Sequence, residues 1–176
     1  MASGAGATYA APLQTPGLGP TASSSVGQTF TTGGECVILS FFTLALVPQA
    51  STGRVRINAL LYPFDVSTNR VTGPALATQL TSAIEDDSSL SVTFQRPVQL
   101  SPATSYAIIL TTSGQGQAAE VHTILIRRSP SGNPNEILGG KSIFQGSGDS
   151  SAAIETDPFI SNIFTPGDEN FAISIN

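Results

Sequence analysis

From Val26 onward, short runs of β-branched and aromatic residues are separated by Gly, Pro, Asn, Asp and Ser. This spacing is typical of an all-β sandwich or barrel. Within several runs apolar and polar residues alternate, so every second side chain faces the same side of a strand. No window has the apolar spacing of an amphipathic helix. The pattern therefore predicts an all-β fold, an antiparallel β-sandwich in which each sheet has one face packed on the core and one face exposed to solvent.

Nine strands are predicted, and three of them show the alternation clearly. The predicted strands lie near residues 26–32, 36–47, 54–62, 75–82, 89–96, 104–112, 121–128, 141–146 and 169–175. The side chains predicted to face the core in the three clearest strands are Val92, Phe94, Tyr106, Ile108, Leu110, Phe171, Ile173 and Ile175.

The low charge of the chain excludes several protein classes. Charged residues make up 11% of the 176 residues, with seven basic and twelve acidic side chains. Helical bundles and coiled coils are rich in Glu and Lys, and a nucleic-acid interface needs a basic stripe. No run reaches the roughly 18 apolar residues of a membrane helix. We therefore expect neither a nucleic-acid partner nor membrane insertion.

The composition divides the chain into an extended N-terminal arm, residues 1–25, and a β-sandwich domain, residues 26–176. Three prolines, Pro12, Pro16 and Pro20, exclude a helix from the arm. We expect the arm to pack either along its own domain or on a neighbouring subunit. The first residues have no basic region and no continuous apolar region, so they are not expected to be a secretory signal. Either such a signal was removed, or the protein is not exported by that route.

Candidates for catalysis are few, because the chain has one histidine and one cysteine. His122 lies within an apolar run and is interpreted as a strand residue. Cys36 begins an apolar strand and is interpreted as a buried, inert thiol. The chain contains no Gly-x-Ser-x-Gly motif. We therefore predict no catalytic residues and no enzymatic activity.

The one acidic cluster is Glu85-Asp86-Asp87, between two predicted strands. Adjacent acids in a turn are interpreted as a solvated charged loop. Calcium binding is the alternative, because hard cations prefer several oxygen ligands. The chain has no Asp-x-Asp-x-Asp-Gly loop. We predict no metal site and no cofactor.

Binding residues are sought in the arm and in the long loops predicted at 63–74, 129–140 and 147–168, because long loops often carry function. Stacking of a sugar on an aromatic ring has few candidates, since Trp is absent and Tyr occurs three times. Polar recognition by Asn, Asp and Arg remains open. The candidate binding residues are Tyr9, Pro12, Asp65, Asn69, Arg70, Asn133 and Asn135.

A predicted corner lies at Leu100-Ser101-Pro102-Ala103-Thr104, between two strands. Pro102 fixes its own φ, and Ser101 can bond to the nearby backbone. Tyr106 follows directly. We expect its ring to be buried and its hydroxyl to meet the backbone of the turn, as Tyr does at sandwich corners.

Several motifs within residues 26–112 carry a family resemblance, among them Gly27-Gln28-Thr29-Phe30-Thr31, Leu61-Tyr62-Pro63-Phe64-Asp65 and the corner before Tyr106. This order resembles small extracellular β-sandwich domains of bacteria and cyanobacteria, which often carry a PEP-CTERM-type sorting tail. The resemblance implies a jelly-roll-like sandwich, similar in shape to carbohydrate-binding modules, and an extracellular or cell-surface location. It implies no catalytic residues. The family's export signal and sorting tail are not found here.

Two functions remain. The first is a non-enzymatic structural protein, for example a capsid decoration protein on a virion surface, which binds its neighbours through the arm and loops. Low charge suits dense contacts, because few charged groups lose their water. A homo-oligomer, with a trimer favoured, is expected. The alternative is a secreted or cell-surface binding module, with a glycan as candidate ligand.

Overall fold

The computed structural model describes residues 17–18, 25–112, 122, 124–126, 128–129, 140–145, 154–161, 170–171 and 173–175. These residues form strands, turns and bends, and none of them is helical. The strands are β1 (Gly17–Leu18), β2 (Ser25–Thr31), β3 (Val37–Ala45), β4 (Arg54–Asp65), β5 (Arg70–Val71), β6 (Ala77–Ile84), β7 (Ser89–Leu100), β8 (Ser105–Thr111), β9 (Ile124–Leu125), β10 (Arg128–Ser129), β11 (Ser142–Gln145), β12 (Ile160–Ser161), β13 (Asn170–Phe171) and β14 (Ile173–Ile175).

The strands build two main sheets. The seven-stranded sheet has the order β12-β11-β2-β8-β4-β5, and β6 also pairs with β4. The three-stranded sheet has the order β14-β3-β7, and β1–β9 and β10–β13 form short pairs. Every pair is antiparallel. The predicted all-β antiparallel sandwich is therefore confirmed, whereas the jelly-roll strand order stays a prediction.

The main core contains the inward faces of both sheets, as the alternation predicts. Val92 and Phe94 of β7 are buried in it, and so are Tyr106, Ile108 and Leu110 of β8. Full burial of one such side chain contributes about 1.5–3 kcal/mol. The predicted facing of these five residues is confirmed. The side chains of Phe171, Ile173 and Ile175 lie outside the described part of the structure.

A second apolar cluster covers the opposite face of the seven-stranded sheet. It is centred on alternate residues of β4, with Phe159 from the segment 154–161 packed over them. Because both faces of β4 are covered, its apolar residues continue through Pro63 to Phe64, and the strand ends at Asp65. The prediction of one loop over 63–74 is thus wrong. β4 extends to Asp65, and the chain then turns to form β5, which pairs antiparallel with the end of β4. The buried members are Leu60, Tyr62, Phe64, Ala107, Ile109, Ile143 and Phe159.

The predicted corner is present and depends on Tyr106. Its ring is buried, and its hydroxyl oxygen accepts a hydrogen bond from the backbone N–H of Ser101 at 2.9 Å. Thr32 braces the same turn: its hydroxyl donates to the Ser101 carbonyl at 2.6 Å and accepts from the Thr104 N–H at 3.0 Å. Ala103 has a φ of 47°, in the left-handed region. This conformation is unfavourable for alanine and persists where surrounding contacts offset its free-energy cost. The corner role of Tyr106 is confirmed.

The described part of the predicted arm consists of Gly17, Leu18 and Ser25. Gly17 and Leu18 form β1 and pair with Leu125 and Ile124 of β9. The Leu18 side chain is completely buried in the main core. At this point the chain therefore packs on its own domain. Ser25 already belongs to β2.

Candidate functional site

The outer surface of the three-stranded sheet carries two large exposed apolar side chains. Ile38 is 63% exposed and Phe41 is 39% exposed, both from β3. Cross-strand partners share a face, so the β7 residues opposite the outward residues of β3 lie beside them. We call this surface the β3 face; it consists of Ile38, Phe41, Thr43, Ala45, Ser89, Ser91, Thr93 and Gln99. None of these residues is charged, although the exposed Arg96 lies on β7 between Thr93 and Gln99.

A β-bulge places Ile38 and Phe41 on the same side of β3. Residues three apart normally face opposite sides of a strand, because the side chains alternate. Here the register shifts between Leu39, which lies opposite Val98, and Phe41, which lies opposite Thr93. The shift resets the alternation and adds the Phe41 ring to the outer surface. The alternation alone did not predict this exposure.

The predicted binding residue Asp65 forms the turn between β4 and β5. One carboxylate oxygen accepts hydrogen bonds from the Ser67 N–H at 2.8 Å and the Ser67 hydroxyl at 2.7 Å. The other accepts from the Thr68 hydroxyl at 2.8 Å. Hydrogen bonds to the ionised form, chiefly from Ser67 and Thr68, lower the pKa of Asp65 from 3.8 to about 2. The carboxylate therefore stabilises its own turn.

Two further candidates, Asn69 and Arg70, attach the segment 154–161 to this hairpin. The Asn69 carbonyl accepts from the Phe159 N–H at 2.7 Å, and Arg70 donates a guanidinium N–H to the Thr156 carbonyl. Asn69 has a φ of 53°, which Asn tolerates better than most residues. The structure thus brings Asp65, Asn69 and Arg70 together. The candidates Tyr9, Pro12, Asn133 and Asn135 lie outside the described residues.

Tyr62 and Glu155 link the same segment to β4. The Tyr62 hydroxyl donates to a carboxylate oxygen of Glu155 at 3.0 Å. Burial, followed by the hydrogen bond and the negative charge of Glu155, raises the pKa of Tyr62 from 10.0 to about 12. The phenol therefore stays protonated over the ordinary pH range and acts as a hydrogen-bond donor.

The interpretation of Glu85-Asp86-Asp87 as a solvated loop is wrong at Glu85. The Glu85 side chain is only 8% exposed, and its carboxylate lies 3.1 Å from Nδ1 of His122. Its backbone is also held: its N–H donates to the Gly53 carbonyl at 2.9 Å, and its carbonyl accepts from the Gln49 N–H at 2.8 Å. Among the described residues, no cluster of His, Cys, Asp and Glu is suited to hold a metal ion.

Gly53 makes room for the histidine in this pair. A Cβ atom at position 53 would lie 2.0 Å from Nδ1 of His122, far inside van der Waals contact. The backbone of Gly53 and the carboxylate of Glu85 therefore position the partly exposed imidazole. No sequence pattern predicted this arrangement, since His122 and Glu85 are 37 residues apart. The His122–Glu85 contact connects residue 122 to the turn that follows β6.

Cys36 corrects another expectation, because its thiol is exposed rather than buried. The first paired residue of β3 is Val37, opposite Leu100. Cys36 thus lies just before the ladder, where none of the described strands pairs with it. The apolar run did not reveal where pairing starts.

The sequence matches no protein-family model and no curated protein. The resemblance to PEP-CTERM-type domains therefore stays a prediction. Within the described ranges, the structure has no helix long and apolar enough to traverse a lipid bilayer.

Proposed function

We propose that the protein is a non-enzymatic structural protein that coats a larger assembly, as a capsid decoration protein coats a virion, and that the β3 face is one of its contact surfaces. The observation that carries the proposal is the exposure of two large apolar side chains, Ile38 and Phe41, on the same side of β3. Contiguous exposed apolar area on a soluble protein is typical of interaction sites.

The polar members of the β3 face suit a contact as well. The hydroxyls of Thr43 and Ser91 hydrogen-bond each other at 3.0 Å, so part of their polarity is satisfied within the chain. Covering the face removes apolar surface from water without stripping a charge of its hydration. Interface centres are likewise poor in charged residues.

The proposed assembly is a closed homo-oligomer, with a trimer favoured, seated on a protein shell. The remainder of the N-terminal arm and the loops other than the β4–β5 turn would add contacts to the neighbours. The alternative, a secreted or surface module that binds a glycan, has less support. Of its candidates, Asp65 and Arg70 already use their side chains in hydrogen bonds to Ser67, Thr68 and Thr156.

The test is the mass of the particle in solution, measured by size-exclusion chromatography with light scattering. The wild-type protein is expected above the 18.1 kDa of one chain, at three times that mass if the trimer forms. Ile38→Lys is expected to reduce this mass, because a charge would be buried in the contact. Val66→Lys is the matched control, since Val66 is also exposed but lies in the β4–β5 turn.

A wild-type protein that stays monomeric at high concentration, together with a positive glycan array read with and without calcium, would overturn the proposal in favour of the binding module. Equal loss of mass in Ile38→Lys and Val66→Lys would remove the β3 face as the contact. A silent array with an oligomer sensitive only to Ile38→Lys supports the proposal.

A further inference from the structure

We infer that the outer edge of β6 is a second interaction surface, and that its partner is β6 of another copy of this chain, paired antiparallel about a twofold axis at Leu80. β6 (Ala77–Ile84) pairs with β4 along eight consecutive residues without a register shift. On its other side, no described strand pairs with it: β7, which follows the turn after Ile84, lies close to β6 but pairs with β3 in the other sheet.

The hydrogen bonds show which backbone groups point to this edge. Glu85 donates its N–H to Gly53 across the ladder, so the odd-numbered residues of β6 face β4. In an antiparallel strand the intervening residues direct their N–H and C=O groups to the opposite side. Those residues are Thr78, Leu80 and Ser82. Two bonds agree: the Ile84 N–H reaches Asp87 at 2.7 Å, and the Leu80 carbonyl accepts from the Gln79 side chain at 3.0 Å.

The composition of β6 leaves this edge open to an added strand. Exposed edges are commonly protected by Lys, Pro, a bulge or an inward-pointing charge. β6 reads Ala-Thr-Gln-Leu-Thr-Ser-Ala-Ile and has none of the first three and no charge at all. Leu80 is 60% exposed on the outer face of this strand. A regular edge strand without charged residues is suited to β-strand addition.

The identity of the partner follows from the symmetry of the sequence around Leu80. A twofold axis at that residue places Leu80 opposite Leu80 of the second copy. Each remaining position then meets a residue of like size and polarity, so the strand is complementary to itself. Outward from Leu80, the facing pairs are Gln79 with Thr81, Thr78 with Ser82, and Ala77 with Ala83.

The charges of the neighbouring strand do not oppose this pairing. Arg54 and Arg56 lie on β4, opposite Ile84 and Ser82, and the Arg54 guanidinium donates to the Ser82 hydroxyl at 2.9 Å. In the twofold arrangement Ser82 meets Thr78 of the second copy, whose own β4 neighbour is Leu60. No arginine therefore faces an arginine across the axis, and like-charge repulsion between cross-strand pairs is avoided.

This contact does not depend on the β3 face or on the proposed function. A twofold edge alone gives a dimer with one continuous sheet.

Disulfide trapping tests the register directly. In a Cys36→Ser background, which removes the one native thiol, Leu80→Cys is expected to form a crosslinked homodimer under mild oxidation. Its two Cα atoms would lie about 5.5 Å apart, within the range that a disulfide spans. Thr78→Cys is the matched control, exposed on the same strand. Its two copies would be displaced by about 13 Å along the strands, so crosslinking should be at least about tenfold slower.

A mixture of Thr78→Cys and Ser82→Cys, one carrying a tag that changes its mass, should give the mixed dimer. Selective crosslinking of Leu80→Cys and of this mixture supports the twofold pairing. Equal crosslinking of Leu80→Cys and Thr78→Cys, or none above the rate of random collision in any variant, overturns it. The result is independent of Ile38→Lys, so this inference and the proposed function fail separately.

Discussion

At the scale of single residues, the structure depends on a few side chains that hold backbone turns in place. Tyr106 accepts from Ser101 at the corner, and Asp65 accepts from Ser67 and Thr68 in the β4–β5 turn. In both places a side-chain oxygen satisfies an N–H or O–H group within a few residues. Such contacts are local, which is why the corner at Tyr106 was predictable from five neighbouring residues.

The Asp65 turn gives a prediction about pH. The pKa of Asp65 in the folded protein, about 2, lies below the ordinary value of 3.8. The ionised carboxylate therefore favours the folded state above pH 4, and this contribution is lost as the pH falls from about 4 to about 2. We expect Asp65→Asn to flatten the pH dependence of the free energy of unfolding in that interval, measured by urea denaturation. Ser67→Ala should act in the same direction, because it removes a hydroxyl donor. Unchanged slopes in both variants would contradict this explanation.

Gly53 gives a second prediction at this scale. Gly53→Ala forces a methyl group against His122, and we expect a loss of about 1–3 kcal/mol in the free energy of unfolding, the usual cost of overpacking. The NMR signals of the imidazole, which belong to the one histidine of the chain, should shift as well. The control is Gly73→Ala, since a Cβ there meets nothing within 4 Å. A Gly53→Ala protein as stable as Gly73→Ala would show that His122 moves aside without cost.

At the scale of elements, β4 organises the molecule, because it is covered on both faces. Its residue Leu61 belongs to the main core, and the next residue, Tyr62, belongs to the second cluster. Central strands of this kind carry nearly continuous apolar runs, in contrast to the alternation of a strand with one wet face. The second cluster therefore explains the apolar run from Ala59 to Phe64. Pro63 concealed that this run belongs to one strand, because proline is rare inside a strand.

The segment 154–161 should therefore contribute strongly to stability through one side chain. Phe159 is 3% exposed and packs against Phe64, with 6.1 Å between the ring centroids. We expect Phe159→Ala to lower the free energy of unfolding by about 3–5 kcal/mol in urea denaturation. Its neighbour Ile160 is 62% exposed, so Ile160→Ala should change stability by no more than about 0.5 kcal/mol. Similar losses in the two variants would mean that the second cluster is not a separate contributor.

At the scale of the whole molecule, the two proposed contact surfaces contain few charged groups. The chain has a net charge of −5, yet no acidic residue belongs to the β3 face or to β6, and the nearby charges include the arginines Arg96 and Arg54. Contacts through such surfaces bury apolar and hydroxyl groups and do not rely on ion pairs. Added salt screens the repulsion between the acidic chains and leaves the contacts themselves unaffected.

Self-association of the wild-type protein should consequently change little, or strengthen, as the salt concentration rises from about 0.01 M to about 1 M. Sedimentation velocity at matched protein concentrations measures this. The oligomer of Ile38→Lys, where one persists, provides the comparison, because its introduced charge should make association depend on salt. A fall of more than about tenfold in the wild-type association constant would indicate that ion pairs hold the assembly.

The sequence by itself determined the antiparallel strands and the inward facing of residues such as Val92 and Phe94, because alternation is a property of neighbouring residues along one strand. It also determined the corner at Tyr106, whose partners lie close in the chain. Only the tertiary structure decided that Glu85 meets His122, that Phe159 covers β4 and that Cys36 stays outside the ladder. Each of these depends on which distant segments come together, and that is set by the packing of both sheets at once.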